Sequence, residues 1–256
     1  MSRKVVITRP TAQALPLAQQ VTGAGRDAIV FPLLEIHPLP DLAPLRMALQ
    51  DLSGYAMVVF VSPNAIDAAF GVLPAWPDNL PIAVVGEGSR KALAQHGVTS
   101  SNATIFSPVN KLRTDSQTLL EVLDLDALRG KRVLIVRGET GRELLTDALR
   151  SSGIEVIQLS AYRRAAPELD QARRVQLTQL LESQNDWIVT SSEALRVLMQ
   201  MLNQLDNNDA VAKMQHQRII VPHVRIAETA QMLGLTNITL TGSGDEQLFA
   251  ALQSRA

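Results

Sequence analysis

The chain has 256 residues, and 46% of them are hydrophobic, so it is long enough for one large domain or two smaller domains that each have a core. Its 25 acidic and 24 basic residues nearly cancel, so the charge of the whole molecule favours neither nucleic acid nor an anionic membrane, and any anion site must be local. The absence of cysteine excludes disulfides, thiolate catalysis and cysteine-bound metal, and together with apolar runs far shorter than the roughly 18 residues of a membrane span it predicts a soluble cytoplasmic protein.

The first predicted unit is a strand, a helix and a second strand. Residues 4–7 form an apolar strand that ends at Arg9, the following helix stops at Gly25, and residues 28–31 form the second strand. Three prolines within residues 32–40 exclude an interior sheet strand, so this segment is the first predicted linker.

A wholly apolar strand at residues 57–61 follows an amphipathic helix at residues 42–52. The strand ends at Ser62, and Asn64 lies where the next helix begins. Small polar groups between the carboxyl end of a strand and the amino end of a helix are well placed for an anionic ligand. Ser62 is therefore either a helix cap alone or a cap that also contacts a ligand.

A second turn of this kind follows the predicted strand at residues 81–85. It contains Gly86 and Ser89 and leads into another helix. Plain turn geometry is enough to explain a GxG sequence, but the position at a helix start makes both residues candidates for ligand binding.

The segment at residues 131–164 repeats the first unit, with a strand that ends at Arg137 and a helix that stops at Gly153. The shift along the sequence that relates Arg9 to Arg137 also relates Gly25 to Gly153 without a gap. Equal shifts of this kind indicate an internal repeat.

The second strand of this repeated unit covers residues 154–161 and leads to Tyr162. Residues 160–167, broken by Pro167, form the second predicted linker. Tyr162 either anchors this linker through its hydroxyl or faces a ligand.

The C-terminal part continues the repeat with three strands, at residues 187–189, 218–221 and 238–240. Ser191 and Ser192 follow the first of these strands, at the position that Ser62 has in the other half. Such equivalent positions favour a shared cleft over two unrelated helix caps. Arg225 lies in the first turn of the helix after the second strand, where a cation is unfavourable for the helix dipole, so a ligand would explain its presence.

Strands that alternate with helices predict an α/β fold with parallel sheets covered on both faces, and each half of the chain supplies five predicted strands. The residues leave open whether each sheet uses one continuous half or whether the halves exchange their first two strands across the proline-rich linkers.

The sequence contains none of the strong catalytic motifs. P-loop, dinucleotide-binding, zinc-protease and serine-hydrolase patterns do not occur, and the four histidines lack ligand spacing, which argues against metal catalysis. Arg9 and Arg137 directly follow buried strands, at the edge where open sheets bind ligands, although either could be an ordinary solvated side chain.

Taken together, these segments resemble the uroporphyrinogen-III synthase family, the enzymes of tetrapyrrole biosynthesis that close a linear tetrapyrrole into the macrocycle. The resemblance covers essentially the whole chain. The segments that carry it are TRP at residues 8–10, FVSPNA at 60–65, AVVGEGSRKAL at 83–93, VLIVRGETGRELL at 133–145, AYRR at 161–164, IVTSSEAL at 188–195 and GDEQL at 244–248.

The resemblance implies two flavodoxin-like α/β domains with parallel sheets, joined by a two-stranded linker, with the active site in the cleft between the domains. Residues 1–36 would join residues 166–256 in one discontinuous domain, and residues 40–162 would form the other. The segments at 32–40 and 160–167 would be the linkers.

The resemblance also implies the reaction. The family converts hydroxymethylbilane to uroporphyrinogen III with loss of water and inversion of ring D, and it needs no metal or organic cofactor. We therefore expect a small-molecule substrate, no nucleic acid or membrane partner, a monomer, and at most a transient contact with the preceding enzyme of the pathway.

Residue roles follow by position from the same resemblance. Tyr162 matches the family's tyrosine at the end of this linker strand and is the candidate that assists departure of the substrate hydroxyl. The expected substrate-binding residues are Arg9, Ser62, Asn64, Gly86, Ser89, Arg137, Ser191, Ser192 and Arg225. Where the family often has small hydroxyl residues after the strand at 218–221, this chain has His223-Val224-Arg225, so Arg225 would bind a carboxylate there instead.

Two other classes of protein fit parts of the pattern. Two α/β lobes with a hinge could form a non-catalytic binding protein for a small polyanion. A flavodoxin-like electron carrier is the other alternative, but no aromatic pair flanks a phosphate loop, and a flavin absorption band would be needed to support it.

Overall fold

The computed structural model describes residues 3–109, 115–205 and 209–254. The strands in these ranges are β1 (Val5–Ile7), β2 (Ala28–Val30), β3 (Glu35–Pro38), β4 (Met57–Phe60), β5 (Ile82–Val84), β6 (Ile105–Phe106), β7 (Arg132–Gly138), β8 (Glu155–Ala165), β9 (Asp186–Ile188), β10 (Arg218–Val221) and β11 (Ile238–Leu240). The helices are α1 (Thr11–Gly23), α2 (Ala43–Gln50), α3 (Pro63–Phe70), α4 (Glu87–Gln95), α5 (Ser116–Leu120), α6 (Leu125–Leu128), α7 (Leu144–Ser151), α8 (Gln171–Leu181), α9 (Ser192–Asn203), α10 (Ala210–Gln215), α11 (Val224–Met232) and α12 (Asp245–Gln253). The predicted α/β class is confirmed.

The chain divides into two compact units. Unit 1 combines the residues up to Glu35 with those from Ala165 onward, and unit 2 is the continuous segment from Ile36 to Arg164. In the described ranges, unit 1 holds a five-stranded sheet of order β11-β10-β9-β1-β2. The other sheet has six strands in the order β3-β8-β7-β4-β5-β6.

The sheet of unit 1 is completed by strands from both ends of the chain. β1 lies between β2 and β9, with Val5 paired in parallel to Ala28 on one side and to Asp186 on the other. The first two strands therefore join the C-terminal strands, which is the exchanged arrangement that the residues had left open. Because neighbouring strands run in parallel, their carboxyl ends meet at one edge of the sheet.

Alternate residues of β1 belong to different hydrophobic layers, as the two-residue period of a strand requires. Val6 packs in a cluster with Trp187 and Ile219. Val5 packs on the other face, in a cluster with Ile188. Apolar residues on both faces explain why these strands lack the polar alternation of a half-exposed sheet.

Unit 2 has the same two-layer construction. Val58 and Leu134 belong to one hydrophobic cluster, and Val59 and Ile135 to another. β4 pairs in parallel with β7 and with β5, so the carboxyl ends of these three strands lie side by side. The turns that follow them therefore form one edge of the sheet.

The structure differs from the sequence predictions at four places. The described residues of the first half form six strands and not five, because β3 forms within the proline-rich segment as the edge strand beside β8. At a sheet edge, a missing N–H can face away from the ladder. β8 continues to Ala165, beyond the predicted end at residue 161. The short helices α6 and α10 were not predicted, since a few residues give too little hydrophobic periodicity to detect.

No helix in the described ranges has the length and apolarity needed to cross a membrane.

Candidate functional site

Ser62 and Asn64 lie where the carboxyl end of β4 meets the start of α3. Ser62 has extended backbone and is the N-cap of α3, and its Oγ accepts a hydrogen bond from the Ala65 amide at 3.2 Å. Asn64 is half-buried in the first helical turn. The predicted cap is thus present, and it fixes the position of the Ser62 hydroxyl at the positive end of a helix.

Tyr162 lies against this cap. Its hydroxyl is 3.0 Å from Ser62 Oγ, and the residue as a whole is 6% exposed. The backbone carbonyl of Tyr162 accepts a hydrogen bond from the Glu139 amide at 2.8 Å, which ties β8 to the turn after β7. The structure therefore brings together two of the predicted site residues, Ser62 and Tyr162, through their hydroxyls.

Gly86 and Ser89 lie beside this pair at the start of the neighbouring helix. Gly86 has extended backbone and precedes α4. The first turns of α3 and α4 are close to each other. A Cβ added to Gly88 in α4 would lie 3.6 Å from Pro63 Cγ in α3. Ser89 is only 4% exposed, so it presents little surface to a ligand, whereas Gly86 is half-buried.

Arg137 is held inside unit 2 by two partners. It is 6% exposed, and its Nη1 donates to Glu143 Oε1 at 2.6 Å and to Gln158 Oε1 at 2.5 Å. Gln158 Nε2 donates to Glu143 Oε2 at 2.6 Å, which closes a ring of three side chains. The structure thus gives Arg137 an internal counterion, whereas the sequence left open whether it binds a ligand or is an ordinary solvated side chain. Gln158 was not predicted, although a polar residue between apolar neighbours in β8 is a visible signal.

The ring of side chains lowers the pKa of Glu143. The hydrogen bond from Gln158, followed by that from Arg137, holds the pKa of this carboxyl below its ordinary value of 4.5. A carboxyl whose pKa is lower in the folded state stabilises the fold above the unfolded-state pKa, and that stabilisation is lost as the pH falls through the folded-state pKa.

Glu143→Gln is therefore expected to be less stable than the wild type at pH 7, with a difference that shrinks as the pH falls below about 4.5. Urea unfolding at pH values from 7 to about 3.5 measures the difference. Glu139→Gln, which neutralises an exposed carboxyl in the same turn, is the control. Parallel stability curves for the wild type and Glu143→Gln over the whole range would contradict the assigned ion pair.

Arg9 occupies the corresponding position in unit 1. Its Nη1 is 2.5 Å from Asp245 Oδ1 in the first turn of α12, and the two side chains are 15% and 36% exposed. Thr8, just before it, is 2% exposed and donates from Oγ1 to the Ile188 carbonyl at 2.9 Å. Arg9 is thus oriented by contacts within its own unit, and its acidic partner was not predicted because the two residues are far apart in sequence.

The remaining predicted residues lie at the starts of α9 and α11. Ser191 caps α9, and its Oγ accepts from the Glu193 amide at 3.1 Å and the Ala194 amide at 3.4 Å. Ser192 Oγ is 2.9 Å from Thr229 Oγ1, which in turn donates to the Arg225 carbonyl at 2.9 Å. This chain of contacts connects the two helix starts.

The start of α11, after β10, holds the residues that replace the family's small hydroxyl residues in this sequence. His223 precedes α11, and its Nε2 is 3.5 Å from Ser243 Oγ. Arg225 is exposed in the first turn of α11. A histidine and an arginine thus stand at this helix start.

The predicted residues therefore fall into two sets, each at the carboxyl ends of the strands of its own sheet. The set of unit 2 comprises Ser62, Asn64, Gly86, Ser89, Arg137 and Tyr162. The set of unit 1 comprises Arg9, Ser191, Ser192 and Arg225. Both sets offer hydroxyl and backbone amide donors, and the set of unit 1 adds the exposed guanidinium of Arg225; such groups suit carboxylates. In the described part of the chain, no group of three or more acidic or histidine side chains could hold a metal ion.

Parallel sheets with hydrogen-bond donors at their carboxyl ends define an α/β protein of the class that binds ligands at that edge. The family model for uroporphyrinogen-III synthase HemD matches residues 16–243. Uroporphyrinogen-III synthase of Escherichia coli K12 is 32% identical over 257 residues, which cover 97% of this chain and 99% of the relative. The enzyme of the same name from Salmonella typhimurium is 31% identical, with the same coverage of 97% and 99%. The chain belongs to the uroporphyrinogen-III synthase family.

Solved structures confirm the fold. The crystal structure of uroporphyrinogen-III synthetase from Helicobacter pylori matches with a TM-score of 0.64 at 16% identity and covers 100% of both chains. A mutant uroporphyrinogen III synthase from Thermus thermophilus matches with a TM-score of 0.60 at 15% identity and covers 99% of this chain and 97% of its own. At these identities the likeness concerns the fold alone.

Proposed function

We propose that this chain is a uroporphyrinogen-III synthase, a cyclising lyase that converts hydroxymethylbilane to uroporphyrinogen III with loss of water and inversion of ring D. Membership of the family over nearly the full length supports the overall reaction. The observation that carries the chemistry is the 3.0 Å contact between the hydroxyls of Tyr162 and Ser62 at the capped start of α3.

The first chemical step is departure of the substrate hydroxyl, which leaves an azafulvene. A neutral phenol can donate a hydrogen bond to the departing oxygen without being a strong acid. Ser62 Oγ already accepts the Ala65 amide proton, so its own hydroxyl proton can be donated to Tyr162. The hydroxyl proton of Tyr162 is then directed to the substrate.

This arrangement strengthens Tyr162 as a donor. A chain that runs from the Ala65 amide through Ser62 Oγ to the Tyr162 oxygen polarises each successive hydrogen bond. The positive end of α3 adds to the effect, because it favours negative charge that develops on the phenol oxygen. Ser62 thus acts on the reaction through Tyr162.

The carboxylates of the bilane need donors spread over a wide surface. We assign this role to Asn64, to the Gly86 turn, to Ser191 and Ser192, and to the exposed Arg225. Arg9 and Arg137 would contact substrate only by exchanging their internal carboxylates, Asp245 and Glu143. Ser89, which is buried, would support the turn at the start of α4 and not bind directly.

Positioning has to dominate the later steps. The bilane closes without help to the uninverted isomer, so the enzyme must hold ring D for attack through its substituted carbon, which gives a spiro intermediate that fragments and recloses. Fixed donors on rigid sheet edges supply such orientation without a strong base. In this proposal, the hydroxyl pair assists the first step and the carboxylate contacts determine the isomer.

Several further features belong to the same proposal. We assign the two compact units as the two domains, with boundaries near Glu35 and Arg164, and we propose a cytoplasmic monomer, a location that fits a chain without cysteine. A transient contact with the preceding enzyme would limit the time in which the free bilane closes unaided.

The test is the isomer composition that forms when purified protein is added to freshly generated hydroxymethylbilane, measured by chromatography after oxidation to porphyrins. We expect mainly type III product. Type I product alone, formed at the uncatalysed rate, would overturn the proposal and leave a two-lobed binding protein for a polyanion as the better explanation.

A further inference from the structure

We propose that Gly138 is a positioning residue for the reaction: its missing side chain and the bulge beside it place the Tyr162 hydroxyl against Ser62. The inference rests on the proposed role of Tyr162. It concerns how the fold delivers that hydroxyl, which neither the motifs nor the family relationship assigns.

The bulge follows from the pairing of β7 with β8. Residues pair one to one from Arg132 with Glu155 to Arg137 with Ser160, but Gly138 then pairs with Tyr162, so Ala161 is an extra residue on β8. A bulge of this kind redirects the side chain that follows it.

The packing of the two residues at the bulge confirms this change of direction. Adjacent strand residues ordinarily point to opposite faces, yet Ala161 and Tyr162 both belong to the same hydrophobic cluster of unit 2. The bulge therefore turns Tyr162 onto the face where β4 ends and Ser62 caps α3.

Gly138 provides the space that this placement needs. A Cβ at Gly138 would lie 3.0 Å from Tyr162 Cζ, 3.1 Å from Cε2 and 3.2 Å from the hydroxyl oxygen. All three atoms belong to the hydroxyl end of the ring, so any side chain would displace the hydroxyl and not the base of the ring. Because Tyr162 is 6% exposed and belongs to a hydrophobic cluster of unit 2, its ring can move only at a cost.

The internal repeat supports a specific pairing of this glycine with the tyrosine. The position equivalent to Gly138 in the first unit is Pro10, and the position equivalent to Tyr162 is Leu34. The first unit, which has leucine in place of the tyrosine, therefore also lacks the glycine.

A double-mutant comparison tests the inference with four proteins: the wild type, Gly138→Ala, Tyr162→Phe and the double variant. Alanine at position 138 is expected to lower kcat for type III product by about 10-fold or more when Tyr162 is present, with KM little changed. With phenylalanine at position 162, the same alanine should change kcat by less than about twofold, because no hydroxyl remains to be misplaced.

Unfolding measurements separate this role from a structural one. The phenylalanine ring keeps the two ring carbons that meet the added Cβ and lacks only the hydroxyl oxygen, so alanine at position 138 should lower stability in both backgrounds, by somewhat less with phenylalanine, while its effect on kcat depends on the hydroxyl. An equal loss of kcat in both backgrounds, or no loss in either, would overturn the inference. Gly23→Ala, at a site with no atom within 4 Å of the added Cβ, is the control and should retain wild-type kcat.

The outcomes also distinguish this inference from the proposed function. No type III product from the wild type would refute the proposed activity, and full activity of Tyr162→Phe would refute the role of its hydroxyl. If Gly138→Ala does not fold, Gly138→Ala combined with Tyr162→Ala should restore folding, since the ring that opposes the Cβ is gone. Tyr162→Ala alone is the reference for this rescue, because loss of a buried ring is itself destabilising. If Tyr162→Ala folds and the double variant does not, the close contact on which the inference depends is refuted.

Discussion

Tyr162→Phe is expected to lower the rate of type III product formation by about 10-fold or more, because the departing hydroxyl loses its hydrogen-bond donor. KM should change little, since the ring and its packing remain. The measurement is the initial rate of type III formation, with uncatalysed type I closure counted separately. Stability should change only slightly, because the cap of α3 by Ser62 is retained.

The chain offers a matched control for this substitution. Tyr55 is the other of the two tyrosines. It lies before β4, at the end of the strand away from Ser62, and the Arg132 guanidinium is 4.9 Å from its ring centroid. Tyr55→Phe should leave turnover unchanged. Full turnover by Tyr162→Phe, or an equal loss in both variants, would show that the Tyr162 hydroxyl has no special role.

Asp186→Asn is expected to lower the free energy of unfolding by about 3 kcal/mol, because it removes the charge that two arginines share. Asp186 Oδ2 accepts from Arg26 Nη2 at 2.7 Å, and Arg218 Nη1 lies 3.7 Å from Oδ1. The side chains of Asp186 and Arg218 are 4% and 3% exposed. Water therefore cannot solvate the Arg218 guanidinium once its counterion is removed. This cost is a large share of the 5–15 kcal/mol by which folded proteins are ordinarily stable.

An exposed ion pair of the same type is the control. Arg129 and Asp126 are 2.8 Å apart, with side chains 67% and 89% exposed, so Asp126→Asn should cost no more than about 0.5 kcal/mol. Urea unfolding at pH 7 measures both variants. Similar losses for the two substitutions would mean that the buried cluster contributes no more than a surface pair.

Because Asp186 lies at the amino end of β9, folded Asp186→Asn protein should keep its preference for the type III isomer.

The parts of the structure that could be predicted from sequence depend on local patterns. Ser62 and Ser191 each follow an apolar strand and precede an amphipathic helix, and both are N-caps. The repeat of Arg9 at Arg137 correctly placed both residues near the carboxyl ends of parallel strands, although Arg137 lies within β7 and only Arg9 follows its strand. Such features are determined within a few residues, so strand and helix periodicity reveals them.

The parts that could not be predicted depend on contacts between distant segments. Nothing local marks Asp245 as the partner of Arg9, because the contact forms only after α12 packs against α1 and β10. The bulge at Ala161 is a property of the pairing between two strands, so β8 alone carries no sign of it. Burial of Arg137 likewise depends on Gln158 and Glu143 together. Sequence reasoning therefore found the residues of the candidate site more readily than their partners.

The discontinuous construction of unit 1 has a consequence for biosynthesis. A ribosome completes Ile36 to Arg164, and hence all of unit 2, before β9 has been translated. Unit 2 can therefore fold on the nascent chain while the edge of β1 that pairs with β9 is still uncovered. Until then this apolar edge is available for wrong pairings, so the N-terminal strands are the segment for which chaperone protection during translation matters most.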